Sequence, residues 1–160
     1  MKKLFVIGII GCIGILAFGW SGCDSNTGTP VPAGETKKVD NENPSYDPHR
    51  GEGKFTKVDL GTGLNAAMAE TGNKVYSVKC SSCHKLTEEK LVGPGWKGVT
   101  VRHSPEWIMN FITNTDEMLN KDPKAQAQLE ICLVRMPNQN LTDEDARALL
   151  EFQRKNDGVK

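Results

Sequence analysis

The chain has 160 residues, of which 38% are apolar and 25% are charged, and its 20 basic residues balance its 20 acidic residues. This balance leaves no global charge that would favour nucleic acid or an electrostatically held membrane surface, so we expect no nucleic-acid partner. Composition differs strongly between the two ends of the chain, and only one small folded domain of about 100 residues is plausible.

The N-terminus has the pattern of an export signal. A positively charged start precedes an uncharged apolar run over residues 4–19, and small residues follow it. We therefore predict a signal peptide over residues 1–22. The Gly22-Cys23 junction resembles the lipobox of bacterial lipoproteins, in which the cysteine is lipidated, although Trp20 stands where those proteins usually have an aliphatic residue. This resemblance implies an exported domain anchored by a lipid on Cys23 and facing the periplasm. Cleavage without a lipid and retention as a short membrane anchor are the alternatives.

Residues 23–63 are predicted to form a lipid-anchored flexible tether. They are rich in Asn, Thr, Pro, Gly and charge and have almost no apolar periodicity. A flexible chain of about 40 residues has an average reach of roughly 35 Å, which would let the domain swing to a partner. Residues 46–51 and 55–58 carry aromatic and β-branched side chains that are able to pack on the domain instead.

A first helix is predicted over residues 64–79, with Asn65 as a capping residue. Gly72 within this helix costs about 1 kcal/mol relative to Ala, so a packing reason is expected. Tyr76 and Cys80 follow Gly72 at intervals of four residues, which lines up all three on one face. We therefore expect another helix to cross closely at Gly72.

The first helix leads into the sequence Cys80-Ser81-Ser82-Cys83-His84. This C-x-x-C-H pattern is the signature of covalent c-type haem attachment, where each sulfur adds to one vinyl group and the histidine binds iron. A zinc site would need a second ligand pair, and no pair with that spacing follows. A thioredoxin-like redox pair would need a βαβ setting, whereas a helix and a Gly-rich loop are predicted here. The pattern predicts one covalent haem c with its iron on His84.

Three further helices are predicted after a loop at residues 93–98. One begins at Ser104, which is followed by proline, and the next begins at Asp122 and runs until Pro137 stops it. The last begins at Thr142 and has an acidic first turn and a basic end. Cys132, which has no obvious disulfide partner, is interpreted as a small buried hydrophobic residue. No strand-like alternation of useful length and no internal repeat is found.

The second iron ligand is predicted from the methionines. Met136 is preferred because it lies in an irregular segment, where Pro137 fixes the backbone next to the thioether. A sulfur ligand there would raise the reduction potential. Met118, in a polar stretch, is the alternative ligand, and an open sixth position is a third possibility.

In combination, these features resemble the class I monohaem cytochromes c over residues 64–155, and we assign residues 64–160 to such a domain. The features are Gly72, Tyr76, Cys80, Cys83, His84, the loop around Pro94, Met136-Pro137 and the last helix. The resemblance implies a small all-α fold wrapped around one covalent haem. It also implies that the first and last helices cross at Gly72, with Tyr76 packing near Leu149 and Phe152.

The same resemblance implies roles in the haem site. The carbonyl group of Pro94 is expected to accept a hydrogen bond from the His84 ring and thereby to fix its tautomer. Trp96, Arg102 or Trp107 is expected to meet the haem propionates. A core role for either tryptophan is an equally good interpretation.

The function that this implies is that of a one-electron carrier with His/Met iron ligation, and not an enzyme. By family analogy, its donor is a quinol-oxidising complex and its acceptor is a terminal oxidase or a periplasmic reductase. One alternative is a haem subunit of a larger oxidase or reductase complex. Another is a small haem peroxidase with an open iron site.

Overall fold

The computed structural model describes residues 46–160. This part of the chain is helical and has no strand, which confirms the predicted all-α fold. Its helices are α1 (Ala66–Lys79), α2 (Val99–Arg102), α3 (Pro105–Thr113), α4 (Thr115–Lys121), α5 (Pro123–Cys132) and α6 (Asp143–Asn156). Within residues 46–160, no helix is both long and apolar enough to cross a bilayer. The predicted signal peptide, Cys23 and the N-terminal part of the predicted tether lie outside the described residues.

Local capping starts the four helices that the sequence predicts. The Asn65 side chain accepts a hydrogen bond from the amide of Met68 at 3.0 Å and caps α1. Ser104, Asp122 and Thr142 accept equivalent bonds at the starts of α3, α5 and α6. Each cap satisfies an amide that the first turn leaves unpaired, and its removal typically costs about 1 kcal/mol.

The core forms where α1 and α3 pack on α6. Gly72 of α1 is buried, and a Cβ atom at this position would meet the carbonyl carbon of Ala148 at 2.5 Å and Cβ of Phe152 at 2.8 Å. The two backbones are therefore in contact at the predicted crossing. One helical turn further along α1, the ring of Tyr76 lies 5.4 Å from that of Phe152.

The structure differs from the predicted elements in the middle of the chain. Residues 115–121 form a helix that was not predicted, because Met118 and Leu119 are adjacent and give no helical period, although both are buried. The third predicted helix ends at Cys132 rather than at Pro137. Leu133 adopts a left-handed conformation with φ of 61°, which terminates α5 before the proline is reached.

Residues 46–63, here called the N-terminal strap, pack on the helices. The fully buried Asn110 of α3 donates from Nδ2 to the carbonyl groups of Arg50 and Phe55, at 2.9 Å each. Its Oδ1 atom accepts from the amide of Phe55 at 2.9 Å. Gly53 passes so close that a Cβ atom there would lie 2.6 Å from Cγ of Asn110. The strap is therefore held by a side chain from the middle of the domain.

Other parts of the strap are fixed in the same way. The Tyr46 hydroxyl donates to the carboxylate of Asp122, and the amide of Val58 donates to Glu106 at 2.8 Å. Near its end, the carbonyl groups of Leu60 and Gly63 accept from the α6 guanidinium of Arg154 at 3.3 and 3.2 Å. The packed structure thus begins before residue 64, where composition placed the start of the domain. Residues of 46–51 and 55–58 do pack on the domain, as their aromatic and β-branched side chains allowed. Loop-like composition does not indicate how far the packing extends, because helix side chains, rather than regular secondary structure, satisfy the strap backbone.

Candidate haem site

The C-x-x-C-H sequence forms a tight turn at the end of α1. The amide of Cys80 still donates to the helical carbonyl group of Tyr76 at 2.9 Å, and the amides of Cys83 and His84 donate back to Cys80 at 3.0 and 2.9 Å. Cys80 is buried and Cys83 is partly buried, and both thiols are free. The turn holds the two sulfur atoms and the imidazole next to one another on the same short segment.

His84 is oriented through both its ring and its backbone. Its Nδ1 atom lies 2.9 Å from the carbonyl oxygen of Pro94, which can only accept, so the proton is on Nδ1. The Nε2 atom is then unprotonated and able to bind a metal. Tyr76 donates from its hydroxyl to the His84 carbonyl group at 2.7 Å. A Cβ atom on Gly93 would lie 2.8 Å from Nδ1, so the loop can pass the ring only with glycine at this position.

Burial governs the protonation of the motif. It lowers the pKa of His84, and the hydrogen bond to Pro94 opposes this shift only in part, so the neutral, metal-binding imidazole is favoured. Burial also raises the pKa of the Cys80 thiol to about 11, which keeps the sulfur protonated near neutral pH. Both groups are therefore uncharged in an apolar setting.

His84 and Met136 line the same cleft. The cleft has three cavities, and both residues contribute to each of them. The first, or front, cavity is walled by Val92, Phe111 and Leu129, and the second, or edge, cavity lies against Cys80, Ile112 and Leu149. The third, or inner, cavity is bounded by Trp96, Arg102, His103, Trp107 and Gln128. Most of these side chains are apolar, which fits a flat apolar macrocycle.

The methionines occupy different regions of the described residues. Met118, the alternative ligand, is fully buried, and its sulfur accepts a hydrogen bond from the amide of Glu52 in the strap at 3.0 Å. Met68 and Met109 line another cavity, beside the strap. Among these four residues, Met136 is the one that lines the cleft together with His84.

The three residues expected to contact the haem propionates differ in their hydrogen-bond partners and in their burial. Trp107 donates from Nε1 to the buried carboxylate of Asp122 at 3.0 Å, so its one polar hydrogen is already used. Arg102 donates to the carbonyl groups of Lys97 and Gly95 at 2.6 and 3.3 Å. Trp96 is buried, and its ring centroid lies 5.5 Å from that of His84. Trp96 and Arg102 line the inner cavity, and the Arg102 guanidinium keeps N–H groups beyond the two that these bonds use.

Sequence reasoning did not single out His103, although it lines the inner cavity. Its ring stacks on Trp107 with 4.0 Å between centroids, and its Nε2 atom lies 3.2 Å from Nε2 of Gln128. Burial, assisted by the nearby cations Lys124 and Arg102, lowers the pKa of His103 to about 4. A histidine directly before the Ser104 cap carries no local signal for such a site.

Cys132 was expected to be a buried hydrophobic residue. It is only partly buried, and it lines the front cavity as a free thiol. Its neighbour Leu133 is exposed, as are Ile131 and Val134. The end of α5 therefore forms an apolar rim beside the cleft.

Comparisons with known proteins agree with this arrangement. The family model described as "Cytochrome c" matches residues 69–156. A solved cytochrome c from Rhodothermus marinus is 32% identical, with a TM-score of 0.64, and the alignment covers 66% of this chain and 90% of that one. An engineered form of that cytochrome c, Rma TDE, is 31% identical over the same shares, with a TM-score of 0.63. No curated protein sequence matches the chain. The chain belongs to the cytochrome c family, whose members transfer electrons through covalently bound c-type haem.

Proposed function

We propose that this protein carries single electrons through one haem that Cys80 and Cys83 attach and whose iron His84 and Met136 bind. The observation that carries this proposal is the shared cleft of His84 and Met136. An unprotonated imidazole nitrogen, a thioether sulfur and two free thiols form a donor set suited to c-type haem. When bound, the haem supplies the ferric/ferrous couple that takes up or releases one electron.

Pro94 and Gly93 serve as orienting residues in this proposal. The Pro94 carbonyl group accepts the Nδ1 proton of His84, which fixes the ring plane and directs Nε2 into the cleft. The close passage of Gly93 limits rotation of the same ring. A ring held in this way needs little rearrangement when the charge on its metal changes, which favours fast electron transfer.

The segment that carries Met136 is also fixed. Pro137 restricts the backbone directly after the methionine. The carbonyl group of Gln139 accepts from Nζ of Lys79 at 2.9 Å, which ties the segment to the end of α1. The amide of Asn140 donates to Asn138 at 2.9 Å, and Asn140 adopts a left-handed φ of 49°. A thioether so held would raise the reduction potential of the haem relative to a second nitrogen ligand and would leave no position on the iron open to a substrate. Closure favours a carrier over an enzyme that must bind a substrate at iron.

We further propose that the domain works outside the cytoplasm, held to the membrane by a lipid on Cys23. The N-terminal sequence pattern supports this, and cytochrome c domains are typically exported. A quinol-oxidising complex would be the donor, and a terminal oxidase or a periplasmic reductase would be the acceptor. Redox partners of this kind use small, weak interfaces that allow rapid turnover. Stopped-flow mixing with such a purified donor should reduce the haem rapidly, and a failure to do so would exclude that donor.

Absorption spectroscopy of the ferric holoprotein tests the ligand set. Wild-type protein should show the far-red charge-transfer band of a sulfur-to-iron bond. Met136→Leu keeps the side-chain volume, removes the sulfur and should abolish the band. The same variant should bind carbon monoxide rapidly when reduced, because the sixth position is then open.

Met68→Leu is the matched control, since Met68 lies beside the strap and not in the cleft. It should keep both the band and the slow carbon monoxide binding of the wild type. A band that survives Met136→Leu would show that Met136 is not the ligand. Rapid carbon monoxide binding by the wild-type protein would instead favour an open iron site and an enzyme.

A further inference from the structure

The inner cavity contains polar atoms that lack partners. Within residues 46–160, four buried side-chain polar atoms have no hydrogen bond, and two of them are Nδ1 of His103 and Oε1 of Gln153. Both residues line the inner cavity. Leaving a buried polar group unpaired costs about 1–3 kcal/mol, so the unpaired Nδ1 atom of a residue that lines this cavity indicates that a hydrogen-bonding group belongs there, whereas Oε1 of Gln153 can only accept and would need a donor.

The inner cavity lies at the end of the cleft away from the motif cysteines. The edge cavity is lined by Cys80 and Cys83 and the front cavity by Cys83, whereas the inner cavity is lined by neither. It still shares His84 and Met136 with the other two. In haem, the propionates project from the edge opposite the vinyl groups, which are the groups that react with cysteine. A haem attached to Cys80 and Cys83 through its vinyl groups would therefore have its propionate-bearing edge towards the inner cavity.

The ring of His103 carries a proton on Nδ1 that no acceptor among the described residues takes. The Nε2 atom of Gln128 is an amide donor, so Nε2 of His103 accepts from it, and the neutral ring carries its proton on Nδ1. The ring is clamped by stacking on Trp107, whose own N–H is fixed on Asp122. Nδ1 is therefore a preset donor without a partner, and a carboxylate is the acceptor that would satisfy it best.

We propose that His103 donates from Nδ1 to a haem propionate, and that this pair takes up a proton when the iron is reduced. The proposal rests on the haem site of the preceding section. Reduction of the haem would add one electron near the pair, and the added negative charge would strengthen proton binding. One electron is thus accompanied by up to one proton. The added proton would bind Nε2 of His103, with the Gln128 amide rotated so that its oxygen accepts it, and because the imidazolium and the carboxylate interact, the affinities belong to the pair.

The charges around His103 determine the pH range over which reduction is coupled to proton uptake. Arg102 on α2 and Lys124 on α5 lower its pKa, Asp122 at the start of α5 raises it, and its neighbour on α3, Trp107, is uncharged. With burial as the largest effect, the ring by itself remains neutral at pH 7. A propionate at Nδ1 opposes these effects and raises the proton affinity of the pair towards neutral pH.

The midpoint potential of the holoprotein, measured from pH 4 to pH 9, tests the proposal. The proton affinity is higher in the ferrous state than in the ferric state, so the potential should fall as pH rises between the two pKa values and be flat outside them. A tenfold difference in affinity corresponds to a total fall of about 59 mV. His103→Gln should remove most of this fall. His49→Gln should keep the fall, because the His49 side chain is 71% exposed and His49 is the one histidine of the chain that has no role in the proposed site.

Nitrogen-15 NMR of His103 in wild-type holoprotein gives a test that requires no variant. A protonated, hydrogen-bonded Nδ1 and a higher pKa in the ferrous state are expected. An unprotonated Nδ1, or a wild-type potential that does not change with pH, would overturn the proposal, as would a His103→Gln variant that keeps the full fall. Each sample, in its ferric form, should also show the far-red sulfur-to-iron band. A flat potential with an intact band overturns only the role of His103, whereas a wild-type protein without the band contradicts the proposed ligand set.

Discussion

Replacing Gly72 by alanine tests how closely α1 and α6 approach each other. An added Cβ atom would lie 2.5 Å from the carbonyl carbon of Ala148, whereas ordinary contacts begin at 3.4 Å. The obstacle is backbone, so it cannot rotate away, and because the carbonyl oxygen of Ala148 lies closer still, the helices would have to separate by more than 1 Å. Such overpacking costs about 1–3 kcal/mol and occasionally more. Alanine also improves helix propensity by about 1 kcal/mol, which offsets part of the loss. Because the obstacle is backbone, the upper end of the overpacking range, about 3 kcal/mol, applies, and we expect a net loss of about 2 kcal/mol in the free energy of unfolding.

Guanidinium chloride unfolding of the ferric holoprotein, followed by circular dichroism, measures this effect. The midpoint should fall at an unchanged slope, because the native contact is lost without a change in the surface exposed on unfolding. Asn73→Ala is the matched control. Asn73 is the next residue of α1 and is exposed, so alanine there should increase stability slightly through helix propensity alone.

A Gly72→Ala variant that is as stable as the wild type would refute this reasoning. It would mean either that the two backbones are further apart or that the crossing relaxes at little cost. A separation of α1 from α6 should also loosen the packing of Tyr76 on Phe152, and hence the support behind His84. A shift of the haem absorption spectrum in Gly72→Ala, but not in Asn73→Ala, would report this.

Two further predictions concern the strap and the membrane anchor. Asn110→Ala should lower the free energy of unfolding by about 3 kcal/mol, because three strap hydrogen bonds of about 1 kcal/mol each are lost. The same variant should make residues 46–63 sensitive to limited proteolysis. Cys23→Ala should abolish the incorporation of labelled fatty acid and the membrane association of the mature protein, since the proposed attachment atom is removed.

Matched variants control both predictions. Asn114 gives the strap a single hydrogen bond, from Nδ2 to the carbonyl group of Glu52 at 3.2 Å, so Asn114→Ala should cost clearly less than Asn110→Ala. Equal losses in the two variants would argue against the clamp at Asn110. Cys12→Ala alters the other cysteine of the N-terminal region and should leave the fatty-acid label in place. A label that persists in Cys23→Ala would rule out lipid attachment at Cys23.

The starts of the helices were predictable from sequence because the determinants are local. Asn65 and Ser104 each bond an amide three residues further along the chain, so neighbouring residues contain all the information. The order of residues in Cys80-Ser81-Ser82-Cys83-His84 is likewise local, because the attachment chemistry needs two thiols and an imidazole on one turn. The crossing at Gly72 was predictable only because glycine within a helix demands an explanation.

The strap and the inner cavity were decided by the tertiary structure. Phe55 and Asn110 are 55 positions apart and Tyr46 and Asp122 are 76 apart, so no local pattern pairs them. Met118 stands in a polar stretch, and only the folded chain shows that its sulfur accepts the amide of Glu52. A side chain that forms hydrogen bonds with distant backbone groups produces no periodic pattern in the sequence around it. For this reason the composition of the strap predicted a tether.

The C-x-x-C-H pattern by itself predicted a haem, and Met136-Pro137 predicted the second ligand of its iron. Only the fold brought His84 and Met136 to one cleft and set the unpaired Nδ1 of His103 at its inner end. The reason is physical. Attachment chemistry depends on neighbours along the chain, whereas the environment of a cofactor edge depends on side chains that meet only after α2, α3 and α5 have packed together.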